Sequence, residues 1–595
     1  MKDERSVSQV LYGFLPQQTG DLKGGVYRTV DWRDPRSIDV DEDLVRGKLL
    51  EELRGWEAAG ANPAIAREIE RKTVDLDVVE VNRQRGVQVE RFPQVWICAA
   101  CRRVGNDRTK PCACGAKQAW RQLHFVGYHE CGQLEEPYIK RCKEHFQARM
   151  LPQQSMDATK IIFDCPICAK KVQTGLGWRK CPCGKTYSQR PNAEFIVYQV
   201  HRAASVYAPQ SFTIVNPADR DGRRTYTEPS GRRSALTWAL SGFHDDSPAS
   251  RRPTGSGFVE SLIAQGFTRE LAEQLARAAA AGGGLASEDD LGSLADAPSS
   301  VIEAVERESV EVALGLMESR TRIHHLVTDH TPTTARDRYE IGYPRAVSRA
   351  GLSAVDLTDR FPVLKAVYGF TRGGDEPGTT RLSLYWTGTR GRRIYANLQQ
   401  AEALFFQLDP LSVHQWLTDR GHPLQPVADR KAARCEIAAN ALVPSRFDDE
   451  GASQKLGRDL LTLTHSYAHR AIRQLSVLAG VDREGLGEYL LPLSCGFFVY
   501  AATRGDFVLG GLQAVFEHDL DLALAAIVSA ESRCAMDPAC ERNGGACPAC
   551  LHIGEPACTY FNHFLDRKTL FGQTGYLAVK SRTPTGHIRD VRPGE

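Results

Sequence analysis

The chain has 595 residues, of which 42% are apolar and 25% are charged, and its formal net charge is +2. This length excludes a single core, so we expect several domains of about 100–200 residues. The balanced charge excludes a whole-chain field that would attract DNA or an acidic membrane. Any nucleic-acid surface must therefore be a local patch.

The sequence carries no targeting signal that we recognise. It begins with the polar stretch MKDERSVSQV and contains no run of about 18 apolar residues. We therefore expect neither a signal peptide nor a membrane span, and a cytoplasmic location. Thiols stay reduced there, and 15 of the 17 cysteines lie in two clusters, at 98–183 and 534–558. Clustered cysteines in such a chain favour metal binding over disulfides.

The first part of the chain, residues 1–95, predicts a mixed α/β region. Short apolar runs predict strands at 11–14 and 24–32, and apolar residues at helical spacing predict a helix over 40–59. Residues 96–210 carry the cysteine pairs. Residues 211–257 are rich in Pro, Gly, Ser and Arg and predict a linker.

The second part of the chain begins with a helical pattern at 258–330, in which a second helix over 299–320 could be long and exposed. Residues 331–450 predict a mixed region with short strands, and 451–595 predict a helix, a strand at 496–502, a glycine turn, a helix and then cysteines. The predicted fold class is mixed α+β and multidomain. It combines tandem zinc ribbons in the N-terminal half, a helical middle segment, and a C-terminal α/β domain with a four-cysteine zinc site.

Two sets of cysteines repeat within the N-terminal cluster. Each set joins a C-x2-C pair to a C-x-C pair, and aromatic residues follow each set. Two such pairs can complete the tetrahedral shell of a zinc ion, so we predict two zinc ribbons. The first set is Cys98, Cys101, Cys112 and Cys114, and the second is Cys165, Cys168, Cys181 and Cys183.

Two further metal sites are suggested by spacing. Between the ribbons, a third site could use His129, Cys131, Cys142 and His145, although two buried cysteines and two surface histidines are the alternative. Near the C-terminus we predict the ligands Cys540, Cys547, Cys550 and Cys558, with Cys534 as a spare. Sites filled by four protein ligands leave no place for a catalytic water. We therefore expect two to four structural zinc ions.

Motifs for catalysis are incomplete in this sequence. Gly184-Lys185-Thr186 resembles the end of a phosphate-binding loop, but Arg179 stands where that loop needs its first glycine. His465 and His469 lie four residues apart on a predicted helix and could share a metal. The segment reads HSYAH rather than HExxH, so we prefer packed or interface histidines.

Arginine runs provide candidate DNA contacts, because arginine beside aromatic residues suits a phosphate backbone and stacked bases. Solvated loops are the alternative for each run. The candidates are Arg223, Arg224, Arg232 and Arg233, and then Arg390, Arg392 and Arg393.

Longer segments carry a resemblance to known families. LLTLTHSYAHRAIRQLSVLAG, CGFFVYAATRGDFVLGGL and the later cysteines with Asn562, Leu565 and Asp566 resemble the C-terminal domain of MrfA-type helicases. SVSQVLYGFLPQQTGDLKGGVYRTVDW, RFPQVWICAACRRVG and RFPVLKAVYGFTRG resemble the DrmB family, the non-helicase subunits of the DISARM phage-defence system. The similarity runs in patches over roughly residues 5–570, and the segment at 258–325 matches no family that we can name.

The resemblance implies a zinc-binding subunit that is not an enzyme. It would pair with a DrmA-like helicase, which hydrolyses ATP, and would meet DNA through that complex, without binding nucleotide or membrane itself. One alternative is a stand-alone metal-dependent enzyme acting on nucleic acid through His465, His469 and Asp459. Another is a protein-interaction scaffold without DNA contact.

Overall fold

The computed structural model describes residues 4–59, 65–117, 119–152, 157–217, 228–244, 268–269, 291–317, 319–387, 391–448, 454–502, 510–529, 534–554 and 557–579. The chain divides into two compact units. Unit 1 comprises Met1–Ile214 and Leu364–Leu398, and unit 2 comprises Val215–Val363 and Gln399–Glu595. Neither unit is one continuous segment, because the chain leaves each unit and returns to it.

Unit 1 consists mainly of short strands. Its helices are α1 (Val7–Gly13), α2 (Glu42–Ala58) and α3 (Ile65–Glu70), with 3-10 turns at Ala158–Lys160 and Ala204–Val206. Its strands are β1 (Thr19–Leu22), β2 (Gly25–Trp32), β3 (Arg36–Ser37), β4 (Leu76–Glu80), β5 (Val87–Arg91), β6 (Trp96–Cys98), β7 (Val104–Gly105), β8 (Trp120–Gln122), β9 (Phe125–Tyr128), β10 (Leu134–Glu135), β11 (Arg149–Met150), β12 (Ile162–Asp164), β13 (Lys171–Thr174), β14 (Val197–Val200), β15 (Ala208–Val215), β18 (Ser383–Leu384) and β19 (Trp386–Thr387).

The N-terminal helices confirm one sequence prediction and correct another. Helix α2 follows the predicted helix closely, because the Asp41 side chain caps its first turn and one face buries Leu49, Leu53 and Trp56. The strand predicted at 11–14 is wrong, since most of that segment lies in α1. A capping box between Ser6 and Gln9 starts the helix there.

Three small sheets lie in the cysteine-rich part of unit 1, and the strands of one of them, β11-β12-β13, fall between β10 and β14 in the sequence. Their strand orders are β7-β6-β8, β10-β9-β14 and β11-β12-β13, and all of their pairings are antiparallel. Among the aromatic residues that follow the two cysteine sets, Phe125 and Tyr128 lie in β9 and Tyr198 lies in β14. These two strands pair with each other, with Gly127 opposite Tyr198.

A larger sheet is built on two long strands, β17 (Leu352–Thr371) and β20 (Gly391–Leu408), each of which contributes residues to both units. Within unit 1, β4 pairs in parallel with β20, placing Val79 opposite Tyr395. The core beside it contains Leu11, Trp32, Val79 and Tyr395. Just after β17, the buried Arg372 donates to the backbone oxygens of Gly132 at 3.0 Å, Gln17 at 2.8 Å, and Val206.

Unit 2 contains most of the described helices. They are α4 (Pro229–Leu240), α5 (Ser299–Leu316), α6 (Thr333–Asp337), α7 (Tyr343–Arg349), α8 (Pro410–Asp419), α9 (Arg430–Asn440), α10 (Lys455–Leu478), α11 (Gly511–His518), α12 (Leu520–Val528), α13 (Ala539–Arg542) and α14 (Tyr576–Val579). Short 3-10 or π turns lie at Gly292–Asp296, Ile323–Leu326, Arg338–Gly342, Arg483–Gly485, Pro492–Ser494 and Arg567–Thr569, and its other strands are β16 (Thr321–Arg322), β21 (Leu486–Leu491) and β22 (Gly496–Ala502).

The core of unit 2 forms where α10 packs on the sheet. Strands β21 and β22 form an antiparallel pair, and β22 also pairs with β20. The 24-residue α10 buries Leu460, Leu463 and Ile472 in the same cluster as Phe497 and Val499 of β22. The helix and the strand predicted in this part of the chain are confirmed.

Helix α5 differs from its prediction in burial. It ends at Leu316 and is not an exposed helix, because Val301, Val305, Val312 and Leu316 are buried. Most of the segment 258–281, the first helix of the predicted helical pattern, and most of the predicted glycine turn at 503–512 lie outside the described residues. Among the described residues, no helix is long and apolar enough to span a membrane.

One buried carboxylate on α10 links the helix to the segment after α8. Asp459 accepts hydrogen bonds from Arg420 Nε and His422 Nε2, each at 2.9 Å. Burial alone would raise the pKa of Asp459, but the hydrogen bonds from Arg420 and His422 outweigh it and lower the pKa below its usual value. Its folded-state pKa therefore lies below the unfolded one.

This difference in pKa predicts how Asp459→Asn changes stability with pH. The charged pair contributes above the unfolded pKa, and its contribution is lost as pH falls through the folded pKa. We expect the substitution to lower the free energy of unfolding by about 2 kcal/mol at pH 7, and by progressively less as pH falls below about 4, between the unfolded and folded pKa values. Urea unfolding at several pH values measures this. The exposed Asp337→Asn is the control, and an equal effect of both substitutions would contradict the assignment.

Candidate metal centres

The first group of metal-type ligands lies around the sheet β7-β6-β8. Cys98 ends β6, Cys101 is in the following turn, and Cys112 and Cys114 precede β8. The Sγ atoms of Cys98 and Cys114 are 3.7 Å apart, and those of Cys101 and Cys112 are 3.4 Å apart. Sulfurs on one tetrahedral zinc lie about 3.8 Å apart, whereas a disulfide needs about 2.05 Å. The four residues predicted for the first ribbon thus form one group that could hold a metal ion.

The second group forms where β9 and β14 pair. It contains His129, Cys131, Cys181 and Cys183. The Sγ atoms of Cys131 and Cys181 are 3.7 Å apart, and His129 Nδ1 lies 3.6 Å from Cys183 Sγ. The other ring nitrogen of His129, Nε2, lies 3.0 Å from the carbonyl oxygen of Ala193. A carbonyl can only accept, so Nε2 carries the proton. Nδ1 is then unprotonated, as its hydrogen bond from the Cys131 N–H at 3.2 Å also requires, and its lone pair could bind a metal.

The third group lies beside the sheet β11-β12-β13. It contains Cys142, His145, Cys165 and Cys168. His145 Nδ1 is 3.6 Å from both Cys142 Sγ and Cys165 Sγ, and the sulfurs of Cys142 and Cys168 are 3.9 Å apart. Two C-x2-C-like turns therefore face each other across this group.

The grouping corrects the sequence prediction for eight ligands. We predicted one site from the C-x2-C and C-x-C pairs at 165–183 and a third site from 129–145. In the structure, each of the two groups combines one half of the predicted second ribbon with one half of the predicted third site. Pairing of β9 with β14 brings the turn at 129–131 to the turn at 181–183, while pairing of β11 with β12 brings 142–145 to 165–168. The spacing could have revealed this grouping. In the second group, two turns with one residue between the ligands meet, and in the third group, two turns with two residues between the ligands meet.

The turns that carry these ligands share one backbone feature, which is a positive φ just after the second ligand. Where two residues separate the ligands of a turn, the positive φ occurs at Arg102, Phe146 and Ala169. Where one residue separates them, it occurs at a glycine. The glycines are Gly115, Gly132 and Gly184, with φ of 80°, 93° and 64°. The residue after Gly184, Lys185, donates its backbone N–H to Cys183 Sγ at 3.4 Å. The sequence Gly-Lys-Thr thus belongs to a sulfur-bearing turn.

The fourth group belongs to unit 2 and also differs from its prediction. It consists of Cys534, Cys540, Cys547 and Cys550. Cys534, predicted as a spare, lies 3.5 Å from Cys547 Sγ to Sγ, and Cys540 lies 3.7 Å from Cys550. Cys558, predicted as a ligand here, belongs to a different group with His465, His469 and Glu488. Cys558 Sγ lies 3.3 Å from His465 Nε2 on α10.

Helix α10 holds the fourth group in position through one arginine. The Arg473 guanidinium donates to the backbone oxygens of Pro548, Ala549 and His552, at 3.2, 2.8 and 3.1 Å. These oxygens flank the C-x2-C turn of Cys547 and Cys550. The turn is therefore fixed to the helix independently of any metal.

The thiols of the first group differ in how readily they ionise. In the first group, burial opposes ionisation of Cys101, but hydrogen bonds from Arg103 and the neighbouring thiols outweigh it and lower the pKa to about 6. Burial raises the pKa of Cys112 in the same group to about 12. The hydrogen bonds that stabilise the Cys101 thiolate disfavour ionisation of Cys112. A bound cation would stabilise the thiolate form of each sulfur.

The arginines predicted to contact DNA are placed unevenly. Arg223, Arg224 and Arg390 lie outside the described residues, Arg232 is exposed on α4, and Arg233 is 3.9 Å from Glu306. Arg392 is buried against Trp386 and pairs with Glu68 at 3.3 Å, while Arg393 pairs with Asp77 at 2.9 Å and with Asp31. The prediction for Arg392 and Arg393 is therefore corrected, because internal carboxylates already bind both guanidinium groups.

A stronger basic region escaped the sequence analysis. Residues 96–210, which carry the first three groups, contain 18 Lys and Arg against 8 Asp and Glu, although the whole chain is nearly neutral. Lys140, Lys143, Lys171 and Lys185 are exposed next to the ligand turns. A count of charge by segment, rather than a search for arginine runs, would have found it.

The regrouping gives a prediction that metal counting can check. Cys168 and Cys183 belong to different groups in the structure but to one ribbon in the sequence prediction. We expect Cys168→Ser combined with Cys183→Ser to remove two metal ions per chain. Cys165→Ser combined with Cys168→Ser should remove one, since both lie in the third group. Native mass spectrometry of the full chain counts the ions, and loss of one ion from each double variant would contradict the grouping.

Comparison with known proteins supports part of the resemblance inferred from sequence. Residues 6–208 match a family model described as a domain of unknown function, DUF8724. The chain is also 26% identical over 185 residues to the DISARM protein DrmB of Bacillus paralicheniformis. That alignment covers 28% of this chain and 31% of the relative's length.

These matches fall on a minority of the chain. The resemblance of the C-terminal segment to MrfA-type helicases stays a prediction, because neither match tests it. The resemblance to DrmB is confirmed by this relative, to which part of the chain is similar, and the cysteine and histidine groups of the chain could hold metal ions.

Proposed function

We propose that this chain is a non-catalytic, zinc-stabilised subunit of a DISARM-like defence complex, which pairs with a DrmA-like helicase and helps it to bind DNA. The observation that carries the proposal is the closed character of the four cysteine-rich groups. Each offers four donors of the types that zinc prefers, namely sulfur and imidazole nitrogen. The similarity to the DISARM protein DrmB supplies the class of complex.

Closed groups of this kind favour a structural role over a catalytic one. A catalytic zinc keeps one position for water or substrate, whereas structural zinc is held by four protein ligands. Each such ion would contribute on the order of 10–16 kcal/mol toward folding. The small sheets between residues 96 and 200 have little apolar core of their own, so bound zinc would supply much of their stability.

The basic composition of residues 96–210 supports a DNA surface in this part of unit 1. Eighteen basic side chains against eight acidic ones create a local positive field, and several of the lysines beside the ligand turns are exposed. Phosphate contacts by such side chains would bind DNA of any sequence and would weaken steeply with salt. This is the behaviour expected of a subunit that helps a helicase to hold its substrate.

The pairing with a helicase is tested by co-expression. We expect this chain and the DrmA-like helicase from the same defence system to purify together at moderate salt, and ATP hydrolysis to require the helicase chain. The chain purified alone should neither hydrolyse ATP nor cleave DNA when magnesium or manganese is added. Separate elution of the two chains would refute the pairing, and DNA cleavage by this chain alone would favour the enzyme alternative.

The DNA surface is tested by charge removal on the assembled complex. Lys140→Gln with Lys143→Gln should weaken DNA binding and reduce the slope of log K against log salt by about 0.9 for each phosphate that these lysines no longer neutralise. Arg345→Gln with Arg349→Gln removes two exposed charges from α7 of unit 2 and should leave the slope unchanged. Fluorescence anisotropy with labelled duplex measures both. Equal slopes for the two variants would contradict the proposed DNA surface and would favour the alternative of a protein-interaction scaffold without DNA contact.

A further inference from the structure

A fifth group of donor side chains lies inside unit 2, separate from the cysteine turns. His465 and His469 lie one turn apart on α10, Glu488 is on β21, and Cys558 follows the four-cysteine segment. Both histidines are fully buried, and Glu488 and Cys558 are 1% and 6% exposed. One ligand atom from each residue lies within 4.8 Å of the others.

Three distances in this group are close to the edges of a coordination tetrahedron, and the two histidines approach different oxygens of Glu488. His465 Nε2 lies 3.3 Å from Cys558 Sγ and 3.2 Å from Glu488 Oε1, and His469 Nε2 lies 3.3 Å from Glu488 Oε2. Zinc bonds of about 2.0–2.3 Å in a tetrahedron place neighbouring donors about 3.3–3.8 Å apart. The four side chains therefore already surround a volume suited to one ion.

The hydrogen bonds of His469 show which of its ring nitrogens faces the group as an acceptor. Nδ1 lies 2.9 Å from the carbonyl oxygen of Leu551. That oxygen can only accept, so Nδ1 carries a proton, and in the neutral ring Nε2 has a lone pair. This lone pair faces Glu488 Oε2, and both atoms are buried without a hydrogen-bond partner. Two buried acceptors that face each other require a cation between them.

A proton on His469 is the simplest cation for that gap, but it would satisfy only two of the converging atoms. His465 Nε2 lies close to the other oxygen of the same carboxylate and also to Cys558 Sγ. A metal ion satisfies all four donors at once, and it stabilises the thiolate form of a cysteine that it binds. The convergence of four donors thus favours a metal over a proton.

We propose that His465 Nε2, His469 Nε2, the Glu488 carboxylate and the Cys558 thiolate bind one zinc ion in a closed structural site. Imidazole, carboxylate and thiolate are all zinc ligands, and four of them leave no open position for water. This assignment replaces our sequence interpretation of the two histidines as packed residues. It also removes them from the enzyme alternative, because a DNA phosphate cannot reach fully buried ligands.

Surrounding backbone groups orient the proposed ligands. Thr559 donates its N–H to Glu488 Oε1 at 3.2 Å, and Asn562 donates its N–H to Cys558 Sγ at 3.2 Å. The carbonyl of Leu551 orients His469 in the same way. Hydrogen bonds of this kind commonly support metal ligands. Because Leu551 immediately follows the Cys547–Cys550 turn, the proposed ion would fasten the four-cysteine segment to α10 and β21.

Anomalous diffraction from crystals of the full chain tests the site directly. Data measured on both sides of the zinc absorption edge should give a peak about 2.0–2.3 Å from each of the four donor atoms. The peaks expected at the four cysteine-rich groups serve as internal standards. Zinc peaks at those groups without one at His465 would overturn the proposal, and a peak that follows the edge of another metal would overturn the assignment to zinc.

Metal counting on a variant gives an independent check that does not depend on crystals. Native mass spectrometry should find five zinc ions per wild-type chain and four in Cys558→Ser. Cys435→Ser is the matched control, because Cys435 is another buried cysteine of unit 2 outside these groups and should leave five ions. A wild-type count of four that Cys558→Ser does not lower would contradict the site, even if the four cysteine-rich groups are filled.

Discussion

The structure depends on the crowding of electron-rich atoms around a few points. In each cysteine-rich group, sulfur and nitrogen donors approach within 3.4–3.9 Å of one another, a spacing too long for disulfides and too short for independent thiolates. Such groups are stable when a cation shares their charge. In the first three groups, the turns that present the donors use positive φ values, which suit glycine and strain other residues, so backbone geometry and ligand geometry are fixed together.

In unit 2, one face of α10 contacts a segment that is distant from it in the sequence. His465, His469 and Arg473 follow one another at helical spacing on α10, and each contacts the segment between residues 548 and 558. Ser466 adds a contact with the backbone N–H of Asp566. The helix therefore serves both as core of unit 2, through its apolar side, and as a support for the C-terminal cysteines. That second role explains why so many polar residues of α10 are buried.

Local sequence patterns predicted the helices, the strands and the types of metal ligand better than they predicted which residues lie together in the fold. The helix over 455–480, the strand at 496–502 and the ligand types were evident because they depend on nearby residues. The exchange of halves between the second and third groups was not, because it is determined by the pairing of β9 with β14 across about 70 residues. Arg392 and Arg393 were misjudged for a similar reason. Their carboxylate partners, Glu68, Asp77 and Asp31, are more than 300 residues away in sequence.

The route of the chain through unit 1 has a consequence for its biosynthesis and for dissection. Arg372 is fully buried, and its guanidinium holds carbonyl groups at Gln17, Gly132 and Val206. An N-terminal fragment that stops near residue 214 would lack this arginine and would leave those oxygens without their donor. A ribosome must therefore release nearly 400 residues before the first unit can close, and limited proteolysis would not yield that unit as one contiguous peptide.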